Sequence, residues 1–219
     1  MPTVLITGAN RGLGLEFARQ YAEGGWEVVA TVRTGNPELK ELNVRVEALD
    51  MADLDAVAAF GERLDALDLL IANAGTYGPK EAASAEEARG WLDTLAVNTV
   101  APYLLARSVL SLVERSRGKL VAITSKMGSI DDNSSGGFLA YRTSKTALNS
   151  AWRNLALDVG RSGIVAAVLH PGWVRTRMGG SAAPLEPQES VAGMRRVIEQ
   201  LGPGHSGGFF NYDGSAIPW

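Results

Sequence analysis

The stretch that decides the fold lies near the amino terminus, where residues 4–14 read Val-Leu-Ile-Thr-Gly-Ala-Asn-Arg-Gly-Leu-Gly. Its first three residues form an apolar run that is too short for a helix and precedes a turn signal, which predicts a buried strand. Gly8, Gly12 and Gly14 let the backbone turn sharply and come close to a bound group. A helical pattern follows, and the N-terminus of a helix attracts phosphate. The stretch therefore predicts a phosphate-binding strand, loop and helix, although its G-x-x-x-G-x-G spacing differs from the standard dinucleotide fingerprint.

Two arginines close to this loop indicate which nucleotide it binds. The second predicted strand, residues 27–32, is followed by Arg33, where an NAD-binding unit carries a carboxylate for the ribose 2′-hydroxyl. Arg11 lies within the loop itself, and two guanidinium groups on that ribose suit a 2′-phosphate and hence NADP. Either arginine alone is more often a solvated surface charge. Asp50 and Met51, which close a third predicted strand at residues 44–49, are placed to meet the adenine ring.

Strand and helix patterns alternate along the whole chain. Further strands are predicted at residues 67–72, 119–125, 164–169 and 208–210, and helices at residues 52–64, 81–114, 138–159 and 190–201. This order predicts an α/β fold with a single doubly wound, mostly parallel sheet of Rossmann type and helices on both faces. We see no interdomain linker, so residues 1–219 are predicted to form one domain. Pro102 is expected to kink the long helix and to loosen the turn at Asn98.

A tyrosine and a lysine form the candidate proton-transfer pair. Tyr141 and Lys145 stand at i and i+4, which places them on one helix face, one turn apart. A neighbouring ammonium favours a phenolate, so we expect Lys145 to lower the pKa of Tyr141. Such a pair arises by chance in many helices. Its position after Ser125, which ends a predicted strand at the edge where parallel sheets bind ligands, favours an active site.

Composition excludes several classes of function. A net charge of −3 argues against a general nucleic-acid or anionic-membrane binder. The chain has no cysteine, and its two histidines, His170 and His205, are far apart, so no metal site is predicted. No stretch approaches a transmembrane length and the N-terminus lacks a signal pattern, which predicts a cytoplasmic protein.

The motifs together resemble the short-chain dehydrogenase/reductase family nearly from end to end. They are Thr7-Gly8-x3-Gly12-x-Gly14, Asn73-Ala74-Gly75, Asn98, Ser125, Tyr141-x3-Lys145 and Pro171-Gly172. Within the family, the chain is similar to the small NADP-dependent carbonyl reductases grouped with C-factor and sniffer. The details that carry this narrower likeness are Gly-Ala-Asn-Arg-Gly-Leu-Gly, Tyr-Arg-Thr-Ser-Lys and the closing Asp213-Gly214-x-x-x-Pro218-Trp219.

The resemblance implies a role for each candidate residue. Tyr141 is the general acid in carbonyl reduction, and Lys145 lowers its pKa and binds the nicotinamide ribose. Ser125 holds the substrate oxygen, and Asn98 supports a water that relays protons to Lys145. The residues expected to contact NADP are Gly8, Asn10, Arg11, Gly12, Leu13, Gly14, Arg33, Asp50, Met51, Asn73, Ala74, Gly75, Tyr141, Lys145, Pro171, Gly172, Val174 and Thr176.

One alternative concerns the serine. Ser129 lies twelve residues before Tyr141, and the gap from Ser125 to Tyr141 is longer than usual in the family. Spacing alone therefore favours Ser129 as the serine that holds the substrate oxygen. Ser125 is preferred because it ends the strand, and because a longer gap is typical of the C-factor-like group.

The function that follows is NADPH-dependent reduction of a carbonyl (an aldehyde, ketone or quinone) to an alcohol. The alternative is an NADP(H)-binding signalling or regulatory protein of C-factor type; the complete Tyr–Lys–Ser set favours the enzyme. Family members often pair through the helix after Pro102 and the helix bearing Tyr141, so the resemblance also implies a homodimer. Leu148, Trp152 and Leu155 are the candidate contact residues, although helix faces this apolar are more often core.

Overall fold

The fold is built on one seven-stranded parallel sheet in the described part of the chain. The structure is a computed structural model that describes residues 1–35 and 37–219. The strands are β1 (Thr3–Thr7), β2 (Glu27–Val32), β3 (Arg45–Ala48), β4 (Leu69–Ala72), β5 (Lys119–Ile123), β6 (Val165–His170) and β7 (Phe209–Asn211). They lie in the order β3-β2-β1-β4-β5-β6-β7, and every neighbouring pair is parallel. The predicted doubly wound α/β fold is confirmed.

The strand order places a crevice at the centre of the sheet. From β1 the chain moves outward to β3 and then returns to β4, on the other side of β1. The crossovers on the two sides of β1 therefore run in opposite directions and leave the carboxyl ends of β1 and β4 uncovered. Ligands of open α/β sheets bind at this switch point.

Helices cover both faces of the sheet because its strands are apolar on both sides. Phe17 and Met194 belong to a core on one face, and Leu105 and Trp152 belong to a second core on the other. The helices are α1 (Gly12–Glu23), α2 (Pro37–Glu41), α3 (Leu54–Ala58), α4 (Ala85–Leu95), α5 (Ala101–Ser108), α6 (Leu110–Ser116), α7 (Leu139–Asp158) and α8 (Pro187–Gln200).

Helix boundaries are where the sequence prediction differs most from the structure. The helix predicted at residues 81–114 begins only at Ala85, because Ser84 and Glu87 form a capping box there. Its sharp bend, 56°, lies near Val109 and separates Ala85–Ser108 from Leu110–Ser116, so the prediction that this helix kinks at Pro102 was wrong about the position of the sharp bend. The helix predicted at residues 52–64 shortens to α3 followed by a 3-10 turn, and α2 was not predicted.

Pro102 interrupts the α-helical hydrogen bonding of the turn that precedes it. Residues Ala96–Val100 form a π-helical turn, in which the N–H of Ala101 bonds to the carbonyl of Ala96. Proline has no N–H to offer the preceding turn, so the α-helical bonding pattern is interrupted there. The predicted loosened turn at Asn98 is confirmed in this form.

The residues nominated for a dimer contact do not face solvent. Leu148, Trp152 and Leu155 are at most 1% exposed and pack in the core between α7 and the sheet. That assignment was wrong, because the apolar face of α7 is directed at β5 and β6. Among the described residues, no single helix is long and apolar enough to cross a membrane. The bent pair Ala85–Ser108 and Leu110–Ser116 together has the length and apolar composition of a membrane span, but no other feature of one.

Candidate active site

A cleft of about 570 Å³ opens at the carboxyl edge of the sheet. It is lined by most of the residues predicted to contact the cofactor, namely Gly8, Asn10, Arg11, Gly12, Leu13, Gly14, Arg33, Asp50, Met51, Asn73, Ala74, Gly75, Tyr141, Lys145, Pro171 and Thr176. Its other lining residues were not predicted and are Thr31, Val32, Leu49, Ala52, Thr76, Tyr77, Val97, Ile123, Thr124, Arg177 and Met178. One continuous cleft thus joins the glycine loop to the Tyr–Lys pair.

Glycine is required at Gly14 by close packing. A Cβ there would lie 2.3 Å from the carbonyl oxygen of Gly8 and 2.7 Å from Nδ2 of Asn73. Gly8 and Gly12 have φ values of 68° and 54°, in the left-handed region that glycine tolerates. The loop therefore folds back tightly on the start of α1.

Thr7 ties this loop to the end of β4. Its hydroxyl accepts hydrogen bonds from the main-chain N–H groups of Asn73 and Ala74, both at 3.0 Å. In return, Nδ2 of Asn73 donates to the carbonyl of Thr7 at 2.9 Å. The two strand ends that flank the switch point are thus locked together beneath the cleft.

Three arginines gather at the nucleotide end of the cleft. Arg11, Arg33 and Arg177 all line it, and none forms an ion pair with a carboxylate in the described part of the chain. Partial burial, followed by the positive charges of Arg177 and Arg33, lowers the pKa of Arg11. Three guanidinium groups that repel one another mark a site for a multiply charged anion.

Arg177 is the binding candidate that sequence reasoning missed. It follows Thr176 in the loop between β6 and α8, and this position after a predicted contact was its only sequence signal. A Cβ on Gly12 would lie 3.4 Å from Cγ2 of Thr176, so the loop reaches across to the glycine turn. The basic site is therefore completed by a residue more than 140 positions away from Arg33.

Tyr141 lies buried at the other end of the cleft. Burial, followed by the nearby Tyr77 phenol, raises the pKa of Tyr141, while the hydroxyl of Ser125 lowers it. The Tyr77 ring lies 4.7 Å from the Tyr141 ring, centroid to centroid. Tyr141 is therefore protonated at neutral pH, the form that can donate a proton.

Lys145 does not act on Tyr141 as predicted. Its Nζ lies 5.8 Å from the centroid of the Tyr141 ring and donates to the carbonyl of Ile123 at 2.9 Å. Burial lowers the pKa of Lys145 to about 8. The expectation that Lys145 lowers the pKa of Tyr141 was wrong for this structure, because loss of hydration dominates both side chains.

The structure distinguishes the two candidate serines. β5 ends at Ile123, and Ser125 lies two residues beyond it, where its hydroxyl accepts from the N–H of Met127 at 3.1 Å. Ser129 is turned away: its hydroxyl donates to the carbonyl of Trp219 and accepts from the N–H of Asp132, both at 3.1 Å. Of the two serines, Ser125 is the one whose hydroxyl acts on the Tyr141 phenol and lowers its pKa.

Asn98 holds the cleft wall rather than lining it. Its Oδ1 accepts from the N–H of Thr76 at 2.8 Å, and its Nδ2 donates to the carbonyl of Thr76 and to the hydroxyl of Ser144. The side chain is fully buried and links the π-helical turn to α7. Its side chain thus fixes the segment that follows Asn73-Ala74-Gly75.

Two predicted cofactor contacts lie elsewhere. Gly172 lines a second cavity, and the buried Val174 pairs with Leu185 in an isolated bridge. The reason is the tight turn after β6, in which Gly172 has a φ of 84°. Of this loop, Pro171, Thr176, Arg177 and Met178 line the cleft.

Comparison with known proteins identifies the family. The family model for short chain dehydrogenases matches residues 2–186, and the chain belongs to this family. It is 42% identical over 154 residues to the C-signal of Myxococcus xanthus, covering 70% of this chain and 93% of that protein.

The similarity to solved structures extends over the whole chain. Carbonyl reductase Sniffer of D. melanogaster is 34% identical, with a TM-score of 0.92 and 100% coverage of both chains. The NADPH-bound carbonyl reductase from chicken fatty liver is 32% identical, with a TM-score of 0.88 and coverage of 100% of this chain and 94% of that one.

Proposed function

We propose that this protein is an NADPH-dependent carbonyl reductase that converts an aldehyde, ketone or quinone into an alcohol, with Tyr141 as the proton donor. The observation that supports the proposal is the protonated, buried phenol of Tyr141 beside Ser125, in a cleft that also holds three arginines without an ion pair among the residues that the structure describes. The carbonyl reductases among the similar structures support it.

The cleft fits a phosphorylated dinucleotide at both of its ends. The tight glycine loop presents the start of α1, which suits the pyrophosphate. Arg11 and Arg33, with Arg177 from the opposite wall, suit the additional 2′-phosphate of NADP. Lys145 is near enough to Tyr141 to hold the nicotinamide ribose. When bound, NADPH supplies the hydride.

The remaining chemistry belongs to side chains of this protein. The Ser125 hydroxyl and the Tyr141 phenol converge on one point, where they hydrogen-bond to the substrate oxygen and stabilise its developing negative charge. Tyr141 then transfers its proton to that oxygen. Lys145, whose pKa is lowered to about 8, exchanges protons near neutral pH and can return one to Tyr141.

A second candidate function is a signalling or regulatory protein whose partner surface responds to NADP(H). The observation that favours it is the identity of 42% with the C-signal of Myxococcus xanthus. Both candidates require the cofactor cleft, but only the reductase requires the Ser125–Tyr141 pair. Turnover therefore decides between them.

The test measures NADPH oxidation by the purified protein against aldehydes, ketones and quinones, with NADPH binding titrated in parallel. A carbonyl reductase consumes NADPH only when a carbonyl compound is present and yields the matching alcohol. NADPH binding without turnover of any carbonyl class would contradict the reductase and favour the regulatory candidate. Tyr141→Phe serves as the inactive control.

A further inference from the structure

Two aromatic side chains continue outward from Tyr141 at the substrate end of the cleft. The half-buried Tyr77 lines the cleft, and its ring centroid lies 4.7 Å from that of Tyr141. On the outer side of the cleft lining, the Phe138 ring packs 5.9 Å from the Tyr77 ring and is 39% exposed. We call Tyr77 and Phe138 the aromatic wall. A carbonyl compound held by the Tyr141 hydroxyl therefore has the Tyr77 ring as its neighbour.

The Tyr77 ring is fixed at several points and still has room for a further ring. Its hydroxyl donates to the main-chain carbonyl of Met178 at 3.2 Å, and Met178 lines the cleft as well. The plane of the Tyr77 ring makes an angle of 59° with Tyr141 and of 41° with Phe138, so neither neighbour is stacked flat on it. A side chain that is held in place before the substrate arrives loses little conformational freedom on binding.

The backbone before α7 is strained where it places Phe138. Gly136, Gly137 and Phe138 have φ values of 62°, 69° and 51°, all in the left-handed region, which is unfavourable for a residue other than glycine. The Arg142 guanidinium holds this turn, because it donates to the carbonyls of Gly136 and Gly137 at 3.0 and 3.1 Å and to the Ser135 hydroxyl at 2.9 Å. Backbone strain of this kind clusters at functional sites, so the position of the Phe138 ring indicates a function.

The aromatic wall presents an uncharged ring to the cleft. Burial raises the pKa of Tyr77, so its phenol is neutral at neutral pH. On the Phe138 side, Nζ of Lys80 lies 5.4 Å from the ring centroid, and the carbonyl of Lys80 accepts from the N–H of Leu139 at 3.0 Å. A neutral aromatic ring binds another aromatic ring more strongly than apolar area alone accounts for, through offset or edge-to-face packing.

We propose that Tyr77 determines substrate specificity by packing against an aromatic ring of the substrate, and that Phe138 is the positioning residue that supports the Tyr77 ring. The substrate class is accordingly an aldehyde or ketone with an aryl group near its carbonyl, in preference to a saturated compound of the same size. This inference rests on the proposed reductase function, because the reacting carbonyl is the one held by Ser125 and Tyr141.

The experiment compares phenylacetaldehyde with cyclohexylacetaldehyde, in which a methylene separates the ring from the carbonyl. We expect the phenyl-to-cyclohexyl ratio of kcat/KM to be about three- to tenfold higher in wild type than in Tyr77→Leu, the value of one aromatic pair. Tyr77→Phe, which keeps the ring, should keep the ratio, and Phe138→Leu should lower it. Tyr103→Leu is the matched control, since Tyr103 is a half-buried tyrosine of α5 outside the cleft lining.

A binding measurement separates this inference from the proposed function. The alcohols 2-phenylethanol and 2-cyclohexylethanol are titrated into the NADP⁺ complexes of wild type, Tyr77→Leu and Tyr77→Phe. A preference for the phenyl compound that Tyr77→Leu removes and Tyr77→Phe retains supports the role of the Tyr77 ring, even if neither aldehyde is reduced and the reductase proposal fails. Reduction of both aldehydes with the same kcat/KM ratio in wild type and Tyr77→Leu would overturn the inference and leave the reductase proposal intact. A ratio unchanged in Phe138→Leu would remove Phe138 from the positioning role.

Discussion

At the scale of single residues, burial rather than charge pairing sets the chemistry of this site. Tyr141 and Lys145 both lose most of their hydration, so the pKa of the phenol rises and that of the ammonium falls to about 8. In both side chains, burial stabilises the neutral form relative to the charged form. The pair is therefore poised to give a proton to a substrate oxygen at neutral pH.

Tyr141→Phe removes only the hydroxyl from this arrangement. Because positioned general acids typically contribute 10²–10⁴-fold, we expect kcat to fall by about that factor while the Kd of NADPH changes little. Steady-state NADPH oxidation measures kcat, and a parallel cofactor titration measures the Kd. Retention of more than about a tenth of wild-type kcat would remove Tyr141 from the proton-donor role.

The choice of serine has its own prediction. Ser125→Ala should lower kcat strongly, since Ser125 lies beside the Tyr141 phenol, whereas Ser129→Ala should act mainly on stability through its bonds to Trp219 and Asp132. Steady-state kinetics and thermal unfolding on both variants separate these effects. The reverse order of kcat losses would show that Ser129 is the catalytic serine.

The three arginines predict cofactor preference. A hydrogen bond to a charged group contributes roughly 1.5–3 kcal/mol, so Arg177→Gln and Arg33→Gln should each weaken NADPH by about ten- to a hundredfold. NADH, which lacks the 2′-phosphate, should change far less. Titration of both cofactors tests this, with exposed Arg161→Gln as the control. Equal weakening of NADH and NADPH would instead place the variant arginine at the pyrophosphate.

At the scale of elements, the glycine loop and α1 act as one unit because they touch at the backbone. Gly14→Ala inserts a Cβ 2.3 Å from the carbonyl of Gly8, so the loop or the helix must shift. We expect a loss of about 1–3 kcal/mol in unfolding free energy and weaker NADPH binding. Denaturant unfolding and cofactor titration measure both, and Gly204→Ala, where nothing lies within 4 Å of the added Cβ, is the control.

The π-helical turn shows how one element serves another. The turn lies where it does because Pro102 follows it. Within the turn, the Asn98 side chain forms hydrogen bonds to both Thr76 and Ser144. The segment after β4 and helix α7 are thereby held at a fixed distance. An uninterrupted α-helix would rotate the Asn98 side chain away from one of these partners.

At the scale of the whole molecule, His170 makes folding sensitive to acid. Its pKa is about 4 in the folded protein and 6.5 unperturbed, so between these values the unfolded chain holds the proton and the folded chain does not. The part of the unfolding free energy that depends on His170 is therefore fully present above about pH 6.5 and is lost as the pH falls towards 4.

His170→Gln should relieve up to roughly 3 kcal/mol of this acid loss, given that one pKa unit corresponds to about 1.4 kcal/mol. The measurement is denaturant unfolding of wild type and variant at a series of pH values from neutral to about 4. His205→Gln, at an exposed turn, corrects for the loss of a histidine as such. A difference between wild type and His170→Gln that stays constant with pH would contradict the linkage.

The sequence by itself determined the alternating strands and helices, the parallel sheet and the family. Each of these depends on local pattern: apolar runs of strand length, glycines at a turn, and a tyrosine and lysine one helical turn apart. Residues such as Gly14, Asn73 and Thr7 are recognisable for the same reason, since they lie at the ends of strong elements. Helix ends, by contrast, depend on caps such as Ser84 and were placed several residues too early or too late.

Only the tertiary structure decided the environment of each site residue. The loop after β6 brings Arg177 to the arginines near the amino terminus, and the register of β6 with β7 sets His170 beside Asn211. Burial raises the pKa of Tyr141 where local spacing predicted the opposite effect. The physical reason is that hydration and long-range contacts depend on the packing of segments distant in sequence, which no local pattern records.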